Sequence, residues 1–121
     1  MTAPAFDRWI VWRGNDVARS FRFRDAAGPV DLTGIAVVVR LAWTGGALDL
    51  RSGVDAAVQV ADQAQAGTRG LVTIALSRQQ TRALPTEEAA RWEIELRSPA
   101  LGERTWVWGE VIAEGGDNTD G

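Results

Sequence analysis

From Val17 the chain alternates with a period of two: Val17, Arg19, Phe21 and Phe23 stand against Ala18, Ser20, Arg22 and Arg24. Successive side chains of an extended strand point to opposite faces, so the pattern predicts a strand with one face buried. A second stretch is more apolar. Ile35, Val37, Val39, Leu41 and Trp43 share one face, while Ala36, Val38 and Ala42 share the other with the single charge of Arg40, which places this strand at the centre of a sheet. Residues 9–12, 48–50, 54–60, 71–76, 91–97 and 103–113 are the remaining strand candidates. Between them stand turn signals, among them Arg13-Gly14-Asn15-Asp16, residues 25–29, Thr44-Gly45-Gly46, residues 62–70 and residues 98–102.

Strands joined by short turns at this spacing predict an all-β chain, a single antiparallel β-sandwich of Ig-like or jelly-roll-like type. One segment breaks the alternation. Ser77 and Gln80 have the spacing of a capping box, and Pro85 stops what they start, so residues 77–84 are expected to form a short helix or 3₁₀ turn that plugs one end of the sandwich through Leu84. Residues 115–121 contain no apolar side chain and read as a flexible polar tail after a sandwich domain spanning 1–114. No internal repeat is visible.

The length of 121 residues leaves room for one domain and one core. With 45% apolar and 24% charged residues the composition is that of a folded chain, and no apolar run approaches the roughly 20 residues that span a bilayer. The missing residue types narrow the chemistry further. There is no His, Cys, Tyr or Lys, and all 13 basic residues are Arg. Without them no Ser-His-Asp or Cys-His site can be built, and zinc, haem, iron-sulfur and copper sites lose their ligands. The expectation is a non-enzymatic chain with no cofactor and no metal. Carboxylate chemistry is what survives, and Asp16, Asp25 and Asp31 fall in turns, where Asp is common because its side chain bonds nearby backbone.

Sixteen acids against those arginines give a net charge of -3, with the basic residues scattered along the chain. That is not the footprint of a phosphate-backbone binder, so neither nucleic acid nor membrane is expected as a partner. Residues 1–5 show no basic start followed by an apolar stretch, which predicts a chain made in the cytoplasm without a secretory signal.

Six Trp with no Tyr is the strongest positive feature. In the last strand Trp106, Trp108 and Ile112 are expected on one face and Val107 and Val111 on the other; near the N-terminus Trp9 and Val11 oppose Ile10 and Trp12. A sandwich strand has one inner face, so a second apolar face must be covered by a loop, a terminus or another subunit. Trp43 and Trp92 are assigned to the core. Trp9, Trp12, Arg13, Trp106 and Trp108 are the candidate interface residues, since Trp and Arg dominate contact hot spots. Arg19 falls on the apolar face of its strand, whereas Arg22, Arg24, Arg91 and Arg97 fall on polar ones.

The run Trp12-Arg13-Gly14-Asn15-Asp16, the alternating strand to Arg24, the turn from Asp25 to Pro29 and then Val30-Asp31-Leu32-Thr33-Gly34 opening an apolar strand together resemble the N-terminal β-sandwich domains of tailed-phage and prophage baseplate or tail-fibre-attachment proteins. The second half is similar as well, through Leu76-Ser77, residues 81–85, Trp92-Glu93-Ile94-Glu95-Leu96 and Gly109-Glu110, so the likeness runs from about Arg8 to Ala113. The resemblance implies a virion structural protein: an adaptor in the tail, baseplate, fibre-attachment or neck region, homo-oligomeric within the particle and in contact with other virion proteins. Two other readings compete. Trp106 and Trp108, two apart on one face, could form the sugar-stacking platform of a carbohydrate-binding module, and Glu93 with Glu95 could serve a carboxylate-only hydrolase.

Overall fold

A computed structural model describes residues 4–100 and 102–115. The chain runs β1 (Ala5–Trp12), β2 (Val17–Arg22), β3 (Arg24–Asp25), β4 (Gly28–Pro29), β5 (Ala36–Trp43), β6 (Gly46–Arg51), β7 (Val58–Val60), β8 (Leu71–Leu76), α1 (Arg78–Ala83), β9 (Ala90–Ser98) and β10 (Gly102–Glu114). A five-stranded sheet in the order β1-β10-β9-β5-β6 faces a three-stranded sheet in the order β2-β8-β7, and β3 with β4 forms a small hairpin. The domain is therefore an all-β sandwich, with one departure from a wholly antiparallel design. β1 pairs with β10 in parallel, Phe6 opposite Trp108 and Trp12 opposite Glu114, whereas the other described pairs are antiparallel.

The core follows from alternation. Val37, Val39 and Leu41 of β5, Trp92, Ile94 and Leu96 of β9 and Val107 and Val111 of β10 are buried against Val72, Ile74 and Leu76 of β8. As expected, β5 lies inside its sheet, between β9 and β6. Each strand supplies one inward set, and the removal of those side chains from water is the main term holding the two layers together.

α1 forms where the capping box stands. The Ser77 hydroxyl accepts from the Gln80 amide at 3.2 Å, the Gln80 side chain accepts from the Ser77 amide at 2.8 Å, and Leu84 after the last turn is buried. Buried Thr81 fastens this helix to the turn between β1 and β2: its hydroxyl donates to the Asn15 carbonyl at 2.9 Å and accepts from the Gly14 amide at 3.0 Å.

The strand expected over 54–60 shrinks to Val58–Val60. Gly53, at φ 79°, turns the backbone, and the Asp55 carboxylate accepts from the Arg51 amide, so the first half of that segment is a turn that leaves Val54 78% exposed. The expected strand at 9–12 instead begins at Ala5. Of the predicted tail only Gly115 belongs to the described residues; 116–121 lie outside them.

Candidate interaction surface

The outward face of β1 and β10 is where the alternation fails to end in polar residues. Because the two strands run parallel, side chains that share a face also share a row: Phe6 with Trp108, Arg8 with Glu110, Ile10 with Ile112 and Trp12 with Glu114. Phe6 and Trp108 meet edge to face with ring centroids 4.8 Å apart, and Arg8 lies 3.5 Å from Glu110. Phe6, Ile10, Trp12 and Trp108 are between 47% and 59% exposed, and only one other large apolar side chain among the described residues, Val54, is comparably exposed. A large apolar side chain left singly in water is ordinary; four grouped on one pair of adjacent strands form a patch.

The rest of that sheet face is a mosaic of both signs. Glu110 stands opposite Arg91; Trp108, Glu93, Arg40 and Asp49 continue one row across four strands. Arg40 reaches Asp49 at 3.7 Å and Glu95 at 3.5 Å, while Arg97 grips Glu95 at 2.9 Å and approaches Glu103 at 3.8 Å. The Glu95 bond holds the Arg97 guanidinium, already a strong base, even more firmly in its charged form.

Beneath the patch one glycine brings β1 and β10 together. Gly109 lies in the row of Asp7 and Trp92, at φ 154°, a region essentially reserved for glycine, and a Cβ there would collide with the Asp7 backbone. In the space so left, the Trp92 indole N–H donates to the Asp7 carbonyl at 3.2 Å. The Asp7 carboxylate turns inward and accepts from Arg19 at 2.7 Å, so the one charge expected on the apolar face of β2 is paired across the sandwich. Trp12 in turn lies against Gly115, where a Cβ would strike its indole.

The five residues singled out by sequence part company. Trp12 and Trp108 lie on the patch. Trp9 is buried in the core, its ring 5.7 Å from that of Trp92. Arg13 is half-buried and donates to the Arg82 carbonyl at 2.8 Å, tying the β1–β2 turn to the end of α1. Trp106 falls at a register break between Thr105 and Val107; the extra residue carries it off the face of Trp108 and against the core, where it meets Phe23 edge to face at 6.0 Å. The two-Trp platform expected of residues 106 and 108 is therefore not formed. Phe6 and Ile10 replace the lost members, and their signal was present in the sequence as Phe6-x-Arg8-x-Ile10-x-Trp12, an alternation interrupted by one charge.

The carboxylates find structural work. Glu95 is buried between Arg40 and Arg97 while Glu93 is exposed, so the two do not share one environment. Asp25 accepts from the Ala27 amide and Asp16 from the Arg78 amide, each at 2.8 Å. Asp31 accepts from both the hydroxyl and the amide of Thr33, and these bonds hold its carboxyl below the ordinary value of 3.8. Among the described residues no group of three or more acids gathers as a metal site would require.

No family model matches the chain, and no curated protein matches it in sequence. Solved structures do share its architecture. One of VGSC beta subunits, concerned with their multimeric cell-adhesive interactions, superposes with a TM-score of 0.52 at 13% identity, covering 93% of this chain and 96% of that one. The titin M3 domain superposes with a TM-score of 0.49 at 9% identity, over 93% of this chain and 92% of that one. Identities this low speak to architecture alone: the chain folds as an Ig-like all-β sandwich.

Proposed function

We propose that this chain is a non-enzymatic assembly module, a structural adaptor of a phage or phage-like particle that works through protein contacts. The observation that carries the reading is the exposed row structure of β1 and β10, with Phe6, Ile10, Trp12 and Trp108 on a face that the sandwich itself does not cover. Burying such side chains at a contact stabilises it by roughly 25 cal/mol for each Å² of apolar surface removed from water, and aromatic residues in a desolvated patch form the centres of protein interfaces. The mixed-sign mosaic beside the patch favours a protein partner over a polyanion, because acids such as Glu110, Asp49 and Glu95 stand among the arginines and would repel a polyanion. The likeness of the motifs from Arg8 to Ala113 to those of tailed-phage β-sandwich domains supports the phage role, and an alphabet without His, Cys, Lys or Tyr supports the non-catalytic one.

The test is composition. Particles made by the host genome that encodes this chain are purified and analysed by mass spectrometry and immunogold microscopy. The reading expects the chain at a fixed, integer ratio to other tail or baseplate proteins, with label at one position. A chain absent from such particles, and soluble without partners when co-expressed with its neighbours, contradicts it.

A further inference from the structure

We infer that a second copy of this chain covers the outer face of β1 and β10, related to the first by a two-fold axis running along the strands; the inference rests on that face being a contact surface. A two-fold contact needs a patch complementary to itself. Parallel pairing supplies one, because each row joins partners that match when stacked on one another: Phe6 with Trp108, Arg8 with Glu110, Ile10 with Ile112, Trp12 with Glu114. An axis along the strands stacks β1 of one copy on β10 of the other at the same level. Phe6 then faces an indole, Arg8 a carboxylate and Ile10 an isoleucine, while the Trp12 indole, which carries one N–H donor, faces the Glu114 carboxylate.

The competing arrangement, with the axis across the strands, stacks each strand on its own copy in reverse. It sets Glu110 over Ile112 and Arg8 over Ile10, burying charges against apolar side chains. Charge matching thus selects the first arrangement. The patch is about 26 Å long and about 10 Å wide for eight residues of two strands. That footprint is well under the about 800 Å² per partner of a stable complex, so the isolated contact is weak and reversible.

Having no Cys of its own, the chain suits a crosslinking test. Glu114→Cys places a single thiol at one end of the patch, and a bismaleimide spanning little more than the about 10 Å between packed sheets is added over rising concentration to about 1 mM. With the axis along the strands the two thiols lie at the same level, and a crosslinked dimer accumulates. With the axis across them they lie at opposite ends, and it does not. Val54→Cys, at a position also exposed but off the face, is the control. Adding Arg8→Glu to Glu114→Cys sets like charges over one another and lowers the dimer yield about tenfold, and Arg8→Glu with Glu110→Arg restores it. Equal crosslinking at 114 and 54, or no rescue by the exchanged pair while melting stays near wild type, overturns the inference. If the dimer fails and Trp12→Arg still blocks union with other particle proteins, the contact-surface reading stands and only the second copy falls.

Discussion

Replacing Gly109 by Ala tests the strand pairing on which the surface is built. Gly109 has φ 154°, and its missing Cβ is what allows the Asp7 backbone to approach and the Trp92 indole to reach the Asp7 carbonyl. An alanine must adopt a backbone region that costs about 1–3 kcal/mol, and because its Cβ would collide with the Asp7 carbonyl it must also push β1 away from β10. Pushing β1 away breaks the Trp92 bond, worth about 1 kcal/mol, and loosens the packing of Trp9 on Trp92. Together these effects predict a loss of about 3–4 kcal/mol, a large share of the 5–15 kcal/mol that holds a typical domain. For a chain of this size the melting temperature falls by about 10–20 °C. Urea unfolding followed by Trp fluorescence measures the loss directly, since Trp92 and Trp9 pass from core to water. Gly45→Ala is the control: φ is 91° there, but a Cβ meets nothing within 4 Å, so only the backbone term of about 1–2 kcal/mol applies. If Gly109→Ala costs no more than Gly45→Ala, the close approach of β1 to β10 is not what the structure describes.

Thr81→Val keeps the side-chain shape but strips the Gly14 amide and Asn15 carbonyl of their buried partner, and chemical denaturation should show a loss of about 2–3 kcal/mol. Arg19→Met leaves the Asp7 carboxylate facing the sandwich interior without its cation; because Arg19 is more than one-third exposed the loss is about 1–2 kcal/mol, and adding Asp7→Asn should recover most of it in the same assay. Asp31 has a pKa lowered by its two Thr33 bonds, so it stabilises the fold above pH 3.8 and loses that effect as pH falls through its folded value. The stability gap between wild type and Asp31→Ala should accordingly hold steady from pH 7 to pH 5 and close below about pH 4, measured by urea titration at each pH.

What could be read from the sequence was whatever periodicity or local bonding decides. The alternation of 17–24 and 35–43 set out the inner faces of β2 and β5, and Ser77 with Gln80 announced α1, because each of these depends on neighbours within a few residues. Arg19 was also legible as the misplaced charge, although its partner Asp7 was not. Non-local facts were hidden. The register break between Thr105 and Val107 shifts Trp106 from one face to the other, and nothing in the residue types there marks an extra residue. Arg13 looked like a contact residue because its partner is an Arg82 carbonyl 69 positions away. The parallel pairing of β1 with β10, which turns four scattered apolar residues into one patch, joins the two ends of the described chain and leaves no trace in either strand alone.

If the outer face of β1 and β10 is where this chain is held in its assembly, a charge placed on that face must block incorporation and a charge placed off it must not. The direct measurement compares three proteins in particle incorporation: wild type, Trp12→Arg and Val54→Arg. Both substitutions place a charge on an exposed apolar site, one on the patch and one off it, so both variants should fold and melt within about 1 kcal/mol of wild type. Wild type and Val54→Arg are expected to enter the particle equally, with Trp12→Arg left in the soluble fraction. Equal incorporation of all three would contradict that expectation.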